Sequence, residues 1–538
     1  MEISEGLKNL ISKYDLWQSS LKPKEGVQTL HVDEVASKVA VFYEQIRTII
    51  DWQEEHLMRR SAIIRKLKKR FVDPEISNSS TENVAEPLVL DLIRGGFFPN
   101  DKIEESKLQE VQKIIDKYVF IIKNNPEINI SKTGTRFYNK ILEVAACEIE
   151  ETLAPSIKEM ALIDFMFRIM RDHIKVSDVI YERGLMRKEE KDIQVYIAVQ
   201  QALFKLDSPI ISYNLIRYKY PYWDNPLEEE LLKISQNITK IFNDIEKDLS
   251  HPFLKRFYTI CERYDTAYLV ISDVLIQNKT GDIQQEMQDP KLFEKYVRKS
   301  YENRLKELRA RVTRAAAYSV LSIFITKMLS LLILELILAK LTHGNLNLVF
   351  LSADILIPTL LMAFLVMTVK TPSKNNLNIV IMEAVKIVYQ DQKIDNYEIK
   401  LSRKRSLAAR IILSLVYATG SLISFGFIFL IFNYFHFPVT SMVINFIFIA
   451  LILFAGTAIQ KIANELTMEE TKEGILEFIA DVLFLPITEI GRWMSETWKQ
   501  YNAIAALFSA LIDMPFSTFV EFLERWRYFI KERKEDLR

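Results

Sequence analysis

Residues Ile411–Phe432 read IILSLVYATGSLISFGFIFLIF, a run of 22 residues without a charged side chain. Residues Thr440–Ile459 read TSMVINFIFIALILFAGTAI and are also uncharged. About 20 helical residues are enough to cross a hydrocarbon core about 30 Å thick. Because a chain in lipid must satisfy its own backbone hydrogen bonds, both stretches are predicted to be transmembrane helices.

Two further apolar stretches, Ala315–Ala339 and Leu346–Val369, bring the number of predicted spans to four. Basic residues precede the first span and are frequent in the loop 370–410, whereas the turns 340–345 and 433–439 carry little charge. Cytoplasmic flanks of membrane helices are enriched in Lys and Arg. The pattern therefore predicts that both termini and the loop 370–410 are cytoplasmic.

The composition of the whole chain favours helices over strands. Its 538 residues include only 13 glycines and 16 prolines, and 70 basic side chains balance 70 acidic ones. That balance provides no overall field for nucleic acid, which is therefore not an expected partner. Cys147 and Cys261 match neither a disulfide framework nor a metal-binding spacing, so no metal and no cofactor are expected.

The predicted fold is all-α: a helical cytoplasmic N-terminal domain, a polytopic bundle of about four transmembrane helices, and C-terminal amphipathic helices. Three tryptophans mark the C-terminal region as interfacial, because tryptophan favours the headgroup layer; they are Trp493, Trp498 and Trp526. Within this region, residues 503–523 are compatible with an interfacial, a re-entrant or a fifth spanning segment.

The predicted regions are 1–72 (amphipathic and basic helices), 73–289 (helical cytoplasmic domain), 290–314 (charged helical arm running into the first span), 315–460 (transmembrane region) and 461–538 (C-terminal interfacial helices).

A candidate basic surface follows an amphipathic pattern at residues 31–52. Such a helix could bind anionic lipid headgroups or RNA. A solvated helix face beside a buried stripe is the simpler interpretation. The basic residues are Arg59, Arg60, Arg65, Lys66, Lys68, Lys69 and Arg70.

Three ionisable residues fall inside the predicted spans: Lys327 and Glu335 in the first, and Asp354 in the second. A charge at the bilayer centre costs at least about 2.5–3.5 kcal/mol, so such residues usually face a partner or a water-filled cavity. At about 1.5 Å per residue from the external turn, Glu335 and Asp354 are predicted at similar depths, where they could share a cation or a proton. Lys327 is predicted deeper, out of direct contact with Glu335. Purely structural roles for all three are the competing interpretation.

Small residues cluster in the third span at Thr419, Gly420, Ser421, Ser424 and Gly426. Small side chains let helix backbones approach closely in lipid. The cluster therefore predicts either close packing against a neighbouring helix or a local bend.

Several segments, spread over much of the chain, resemble an uncharacterised family of predicted bacterial multi-span membrane proteins. The resemblance implies a shared architecture in the bacterial inner membrane and lends no activity, ligand or catalytic residue. The segments are FYEQIRTIIDW (42–52), ITKM (325–328) with Glu335, KTPS (370–373), GRWMS (491–495), and Pro515-Phe516 with EFLERW (521–526).

Two functional interpretations remain, and no enzymatic activity is expected, since phosphate-loop, dinucleotide-binding, zinc-protease and EF-hand motifs are missing from the sequence. In the first, the protein is a membrane-anchored helical scaffold whose large soluble domain recruits a cytoplasmic protein partner. In the second, it is an ion or small-solute transporter or channel that uses Lys327, Glu335 and Asp354. Four spans are few for a transporter, although a homo-oligomer could supply more.

Overall fold

The fold is described from a computed structural model, in which 18 α-helices and one two-stranded sheet account for nearly all regular structure of the described residues. This confirms the predicted all-α class. The described residues are 2–21, 26–32, 55–71, 84–125, 132–277, 283–335, 348–389, 394–401, 406–469, 475–501, 522, 526, 529 and 530. Most of the predicted amphipathic helix 31–52 and nearly all of the segment 503–523 lie outside them.

The chain divides into two compact units. The N-terminal unit consists mainly of Glu5–Glu262 and includes Asp395–Ile399, and the C-terminal unit consists mainly of Arg263–Ile394 and Lys400–Ala503. The helices that begin in the N-terminal unit are α1 (Glu5–Ser20), α2 (Glu55–Phe71), α3 (Ala85–Arg94), α4 (Ser106–Lys123), α5 (Lys132–Leu153), α6 (Ile157–His173), α7 (Asp178–Glu182), α8 (Lys188–Phe204), α9 (Ser208–Lys219), α10 (Glu228–Leu249) and α11 (Leu254–Gln277).

Helix α10 illustrates how the sequence builds these elements. Its buried positions Ile238, Ile241, Phe242 and Ile245 follow three- and four-residue spacing, which places them on one face. At its start the Glu230 carboxylate accepts a hydrogen bond from the backbone N–H of Leu227 (3.1 Å), which satisfies one of the free N–H groups near the helix start.

The single sheet joins two distant parts of the sequence within the N-terminal unit. Strand β1 (Ile174–Val176) pairs in parallel with β2 (Tyr397–Ile399), with Ile174 opposite Tyr397. The backbone N–H of Ser177 extends the pairing by donating to the carbonyl of Ile399 (3.1 Å). The predicted loop 370–410 therefore contributes a strand to the N-terminal unit, which the sequence pattern did not indicate.

The C-terminal unit contains four helices long and apolar enough to cross a membrane: α13, α14, α16 and α17. They match the four predicted spans. The elements are α12 (Ile283–Glu286), α13 (Pro290–Ser330) continued by a π-helical turn (Leu331–Glu335), α14 (Leu348–Thr368), α15 (Lys374–Tyr389), α16 (Leu407–Tyr434), α17 (Val439–Ala463) and α18 (Ile475–Tyr501).

Helix α13 is a single helix of 41 residues, so the charged arm and the first span are continuous as predicted. Asp289 caps it by accepting a hydrogen bond from the Lys291 N–H (3.0 Å), and Pro290 occupies the first turn, where no N–H is needed. Phe293, Val297 and Tyr301, with further buried residues down the helix, form one stripe facing the unit's interior.

Helix α18 packs on the middle of the apolar helices. The sequence interpretation instead places it beneath the bundle, as an interfacial helix. Ile487 is buried in the same cluster as Ala450 and Leu453 of α17. A Cβ built on Gly491 would lie 2.0 Å from the carbonyl oxygen of Ala450, so the two backbones are in direct contact. The close approach depends on glycine at position 491, and the pairing explains why α18 is apolar along its inner face.

The small residues of α16 receive a specific partner in α18. Pro486 has no N–H, so it leaves the carbonyl of Val482 without its intrahelical donor. Gly420 lies against this carbonyl, and a Cβ there would come within 2.9 Å of its oxygen. Beside it, the Ser424 hydroxyl donates to the carbonyl of Leu483 (2.6 Å). Of the two predicted explanations, close packing against a neighbour is therefore correct for Gly420 and Ser424.

The packing of α18 is tested by comparing Gly491→Ala with Gly426→Ala. Both changes add a methyl group to a helical glycine, but a Cβ at position 426 meets nothing within 4 Å. Gly491→Ala should lower the free energy of unfolding by about 1–3 kcal/mol through overpacking. Gly426→Ala should be neutral or slightly stabilising. Equal thermal denaturation midpoints of the two variants in detergent would contradict the contact.

Candidate functional site

The candidate site is a buried ion pair between two of the apolar helices. The Nζ of Lys327 in α13 lies 2.9 Å from Oδ2 of Asp354 in α14, and neither side chain is exposed at all. The ammonium also lies 5.2 Å from the ring centroid of Phe448 in α17, at a distance suited to a cation–π contact. The pair thus ties α13 to α14 and brings both against α17.

Asn445 of α17 completes the cluster. Its Nδ2 donates to Oδ1 of Asp354 and to the carbonyl of Ser441 (2.9 Å). Asn445 is fully buried, and its Oδ1 has no hydrogen-bond partner among the described residues. This residue was missed by sequence reasoning, although a lone carboxamide in an otherwise apolar span was the signal that could have found it.

The arrangement differs from the predicted one. The sequence predicts Asp354 at the depth of Glu335, with Lys327 deeper, whereas the structure pairs Asp354 with Lys327. Asp354 is the seventh residue of α14, about 9 Å along the helix at 1.5 Å per residue. The depth estimate assumed that the two helices were aligned at the turn and ignored the reach of the long lysine side chain. Glu335 ends the π-helical turn, and its side chain is outside the described ones.

A second polar contact point, Asn376 of α15, orders the other end of the C-terminal unit. Its Nδ2 donates to the Tyr301 hydroxyl (2.8 Å) and to the carbonyl of Leu466 (2.7 Å). Its Oδ1 accepts from the backbone N–H groups of Met468 (2.7 Å) and Glu469 (3.1 Å). All the bonds available to this buried amide are made, so it fixes α15 and the segment after α17 to α13.

Three of the seven residues of the predicted basic surface form ion pairs within the N-terminal unit. Arg59 pairs with Glu150 (2.9 Å), and Lys66 pairs with Asp91 (2.9 Å). Arg60 is only 5% exposed and binds Asp207. The surface interpretation is therefore wrong for Arg60, because a carboxylate from α9's N-terminus neutralises it in the interior.

The remaining basic and aromatic candidates are placed as follows. Arg65 is exposed and Lys68 is half-buried, while the side chains of Lys69 and Arg70 lie outside the described ones. Trp493 is 67% exposed and Trp526 is 52% exposed. Trp493 lies two residues after Gly491, whose backbone contacts the middle of α17, so its position does not support interfacial anchoring. The side chain of Trp498 is not among those described.

A buried charged network also lies in the N-terminal unit, where the sequence did not predict one. Lys117 and Glu148 pair at 2.5 Å, and the Tyr118 hydroxyl donates to the same carboxylate (2.7 Å). Lys117 also donates to the carbonyl of Trp223 (2.9 Å). Burial raises the pKa of Glu148, and Lys117 opposes that rise. Every charged end of this network has a partner, so it is suited to fixing α4, α5 and the segment before α10 together.

Within the described part of the chain, no three His, Cys, Asp or Glu side chains come together in an arrangement that could hold a metal ion. Comparison with protein-family models, with curated proteins and with solved structures finds no match. Proposals about function therefore depend on the chemistry of this chain alone.

The role of the intramembrane pair is tested with Lys327→Met, Asp354→Leu and the double variant. Each single change leaves one charge buried alone and should destabilise the protein by about 3–5 kcal/mol, whereas removing both charges should cost much less. Denaturant titration in detergent micelles measures the three values. Additive losses in the double variant would show that the two charges do not stabilise each other.

Proposed function

We propose that the protein is a membrane-anchored helical scaffold whose N-terminal unit recruits a cytoplasmic protein partner. The observation that carries the proposal is the direct, fully buried pairing of Lys327 with Asp354. In this arrangement each charge neutralises the other and holds two apolar helices together. The bundle then acts as an anchor, and the exposed surface of the N-terminal unit is left to provide the function.

The proposed topology is multi-pass in the bacterial inner membrane, with both termini in the cytoplasm. The β1–β2 pairing supports it, because hydrogen-bonded strands must lie on one side of a membrane. Strand β1 precedes the first candidate span, and β2 follows the second. The chain between the two strands thus crosses the membrane twice and returns to the same side. The basic flanks of the spans favour the cytoplasm as that side.

Single introduced cysteines test the topology. Tyr434, at the end of α16, is 78% exposed, and Lys374, at the start of α15, is also exposed. Tyr434→Cys should react with an impermeant maleimide added outside intact spheroplasts, and Lys374→Cys should react only after permeabilisation. The native Cys147 and Cys261 are buried, and burial raises the pKa of Cys147, so the wild type should give little background. Labelling of Tyr434→Cys only from the cytoplasmic side would reverse or refute the topology.

The scaffold proposal also draws on the size and internal order of the N-terminal unit. Its charged interior groups are paired, as in Lys117–Glu148 and Arg60–Asp207. Such pairs hold helices in register rather than leaving a reactive group exposed. A helical surface held by such pairs is suited to presenting a binding site.

Transport of an ion or small solute is the second candidate. The observation in its favour is the buried Oδ1 of Asn445, which lacks a hydrogen-bond partner among the described residues beside the Lys327–Asp354 pair. Buried polar groups inside membrane helices often belong to ion or proton pathways. The double variant Lys327→Met/Asp354→Leu, which leaves neither charge unpaired, would abolish flux through such a pathway and leave partner binding by a scaffold unchanged.

Photo-cross-linking in native membranes tests recruitment. The structure locates a suitable truncation: deletion of residues 5–253 removes most of the N-terminal unit and keeps α11 whole. The full chain should capture a reproducible cytoplasmic protein that the truncated chain, present at equal amount in the membrane, no longer captures. Capture of the same proteins by both chains would remove the support for a scaffold.

A further inference from the structure

The N-terminal unit contains an open groove that the scaffold proposal leaves without an occupant. It lies between α4, α5, α9 and the start of α10 and has a volume of about 1,050 Å³. Drug-sized ligands typically fill pockets of about 300–1,000 Å³, so this groove can take several side chains at once. All its lining residues belong to one unit.

The lining of the groove is more apolar than polar. Phe120 and Leu231, both half-buried, and the exposed Leu232 contribute to its apolar part, whereas Ile114 also lines it but is only 8% exposed. Leu232 is 43% exposed, and Leu227, next to the groove in sequence, is 72% exposed. Exposed apolar side chains gathered at a concave site, and rimmed by charge, are typical of a protein-binding surface.

The charges around the groove are mainly negative. Seven carboxylates line it against three basic side chains, which gives a formal charge of −4. Two of the three basic groups are already neutralised, since Lys117 binds Glu148 and Arg217 binds Asp224 (2.9 Å). Of the five exposed carboxylates on the rim, Glu110 pairs with Lys107 (2.6 Å) and Asp224 pairs with Arg217, and the other three are Asp116, Glu228 and Glu229.

The helix dipole does not account for this acidic rim as a whole. Glu228 and Glu229 lie in the first turn of α10, where carboxylates stabilise any helix. Glu110 and Asp116, however, lie beyond the first turn of α4, where the helix dipole no longer stabilises a carboxylate. Two separate helices thus present negative charge to the same apolar groove.

We propose that this groove docks a basic amphipathic helix of the recruited partner protein, with its apolar face against Leu231 and Leu232 and its lysines or arginines toward the rim carboxylates. The assignment rests on the scaffold function proposed above and specifies its contact surface. A basic helix matches both the sign of the rim and the apolar lining, which neither a free metal cation nor an acidic peptide does. The attraction on the rim is screened by salt, so binding weakens as ionic strength rises.

The test uses the full chain in nanodiscs of zwitterionic phosphatidylcholine and a fluorescein-labelled 14-residue peptide of leucine and lysine in helical alternation. Fluorescence anisotropy measures binding, with empty nanodiscs providing the lipid background. The groove variant Asp116→Asn/Glu228→Gln/Glu229→Gln should bind about tenfold more weakly than wild type. These three side chains are exposed, so the variant should fold, with a small loss of α10 stability from its two first-turn carboxylates.

A matched control removes the same number and type of carboxylates elsewhere in the unit. Asp178, Glu182 and Glu189 are exposed and lie outside the groove, so Asp178→Asn/Glu182→Gln/Glu189→Gln should bind like wild type. A second peptide, with serine in place of leucine, should bind much more weakly because it cannot fill the apolar lining. Equal losses in groove and control variants, or equal binding of both peptides, would overturn the proposal. The scaffold function would stand in either case, since partner capture by residues 5–253 is measured separately.

Discussion

A charge inside an apolar helical bundle must find a partner, and the Lys327–Asp354 pair meets this constraint. Each ion alone would cost several kcal/mol, whereas together, with Asn445 and Phe448 around them, they link three helices at one level. The packing of α13, α14 and α17 is tied to this level, because separating α14 from α13 would leave a charge unpaired and separating it from α17 would break the Asn445–Asp354 hydrogen bond. A structural use of these charges is what favours an anchor over a transport pathway.

Buried polar groups elsewhere in the C-terminal unit also find partners. Pro486 frees a carbonyl in α18, and the small residues Gly420 and Ser424 of α16 lie where they can approach the exposed backbone. Asn376 uses both ends of its amide to join three segments. Residues that look unrelated in the sequence are therefore in contact in the fold. Pro486 in α18 exposes backbone that the small residues Gly420 and Ser424 of α16 can approach.

The four spans and the continuity of α13 were predictable, because hydropathy and helical spacing are properties of single segments. Which charges meet was not, since the partner of Asp354 depends on the relative rotation and stagger of two helices. The burial of Arg60 was not predictable for the same reason. Its place in a run of basic residues indicated a surface position, and its partner Asp207 is distant in the sequence. The strand β2 could not be foreseen either, because three residues between longer helical patterns carry too little periodicity to indicate a partner 223 residues away.

The central claim is that the bundle anchors and the N-terminal unit recruits. The most direct measurement is partner capture by the charge-free double variant Lys327→Met/Asp354→Leu, cross-linked in its native membrane at wild-type abundance. The account predicts the same cytoplasmic partners as the wild type, because the pair is used for packing alone. Loss of those partners from a variant that is still folded and inserted would contradict it and assign the intramembrane charges a part in the function itself.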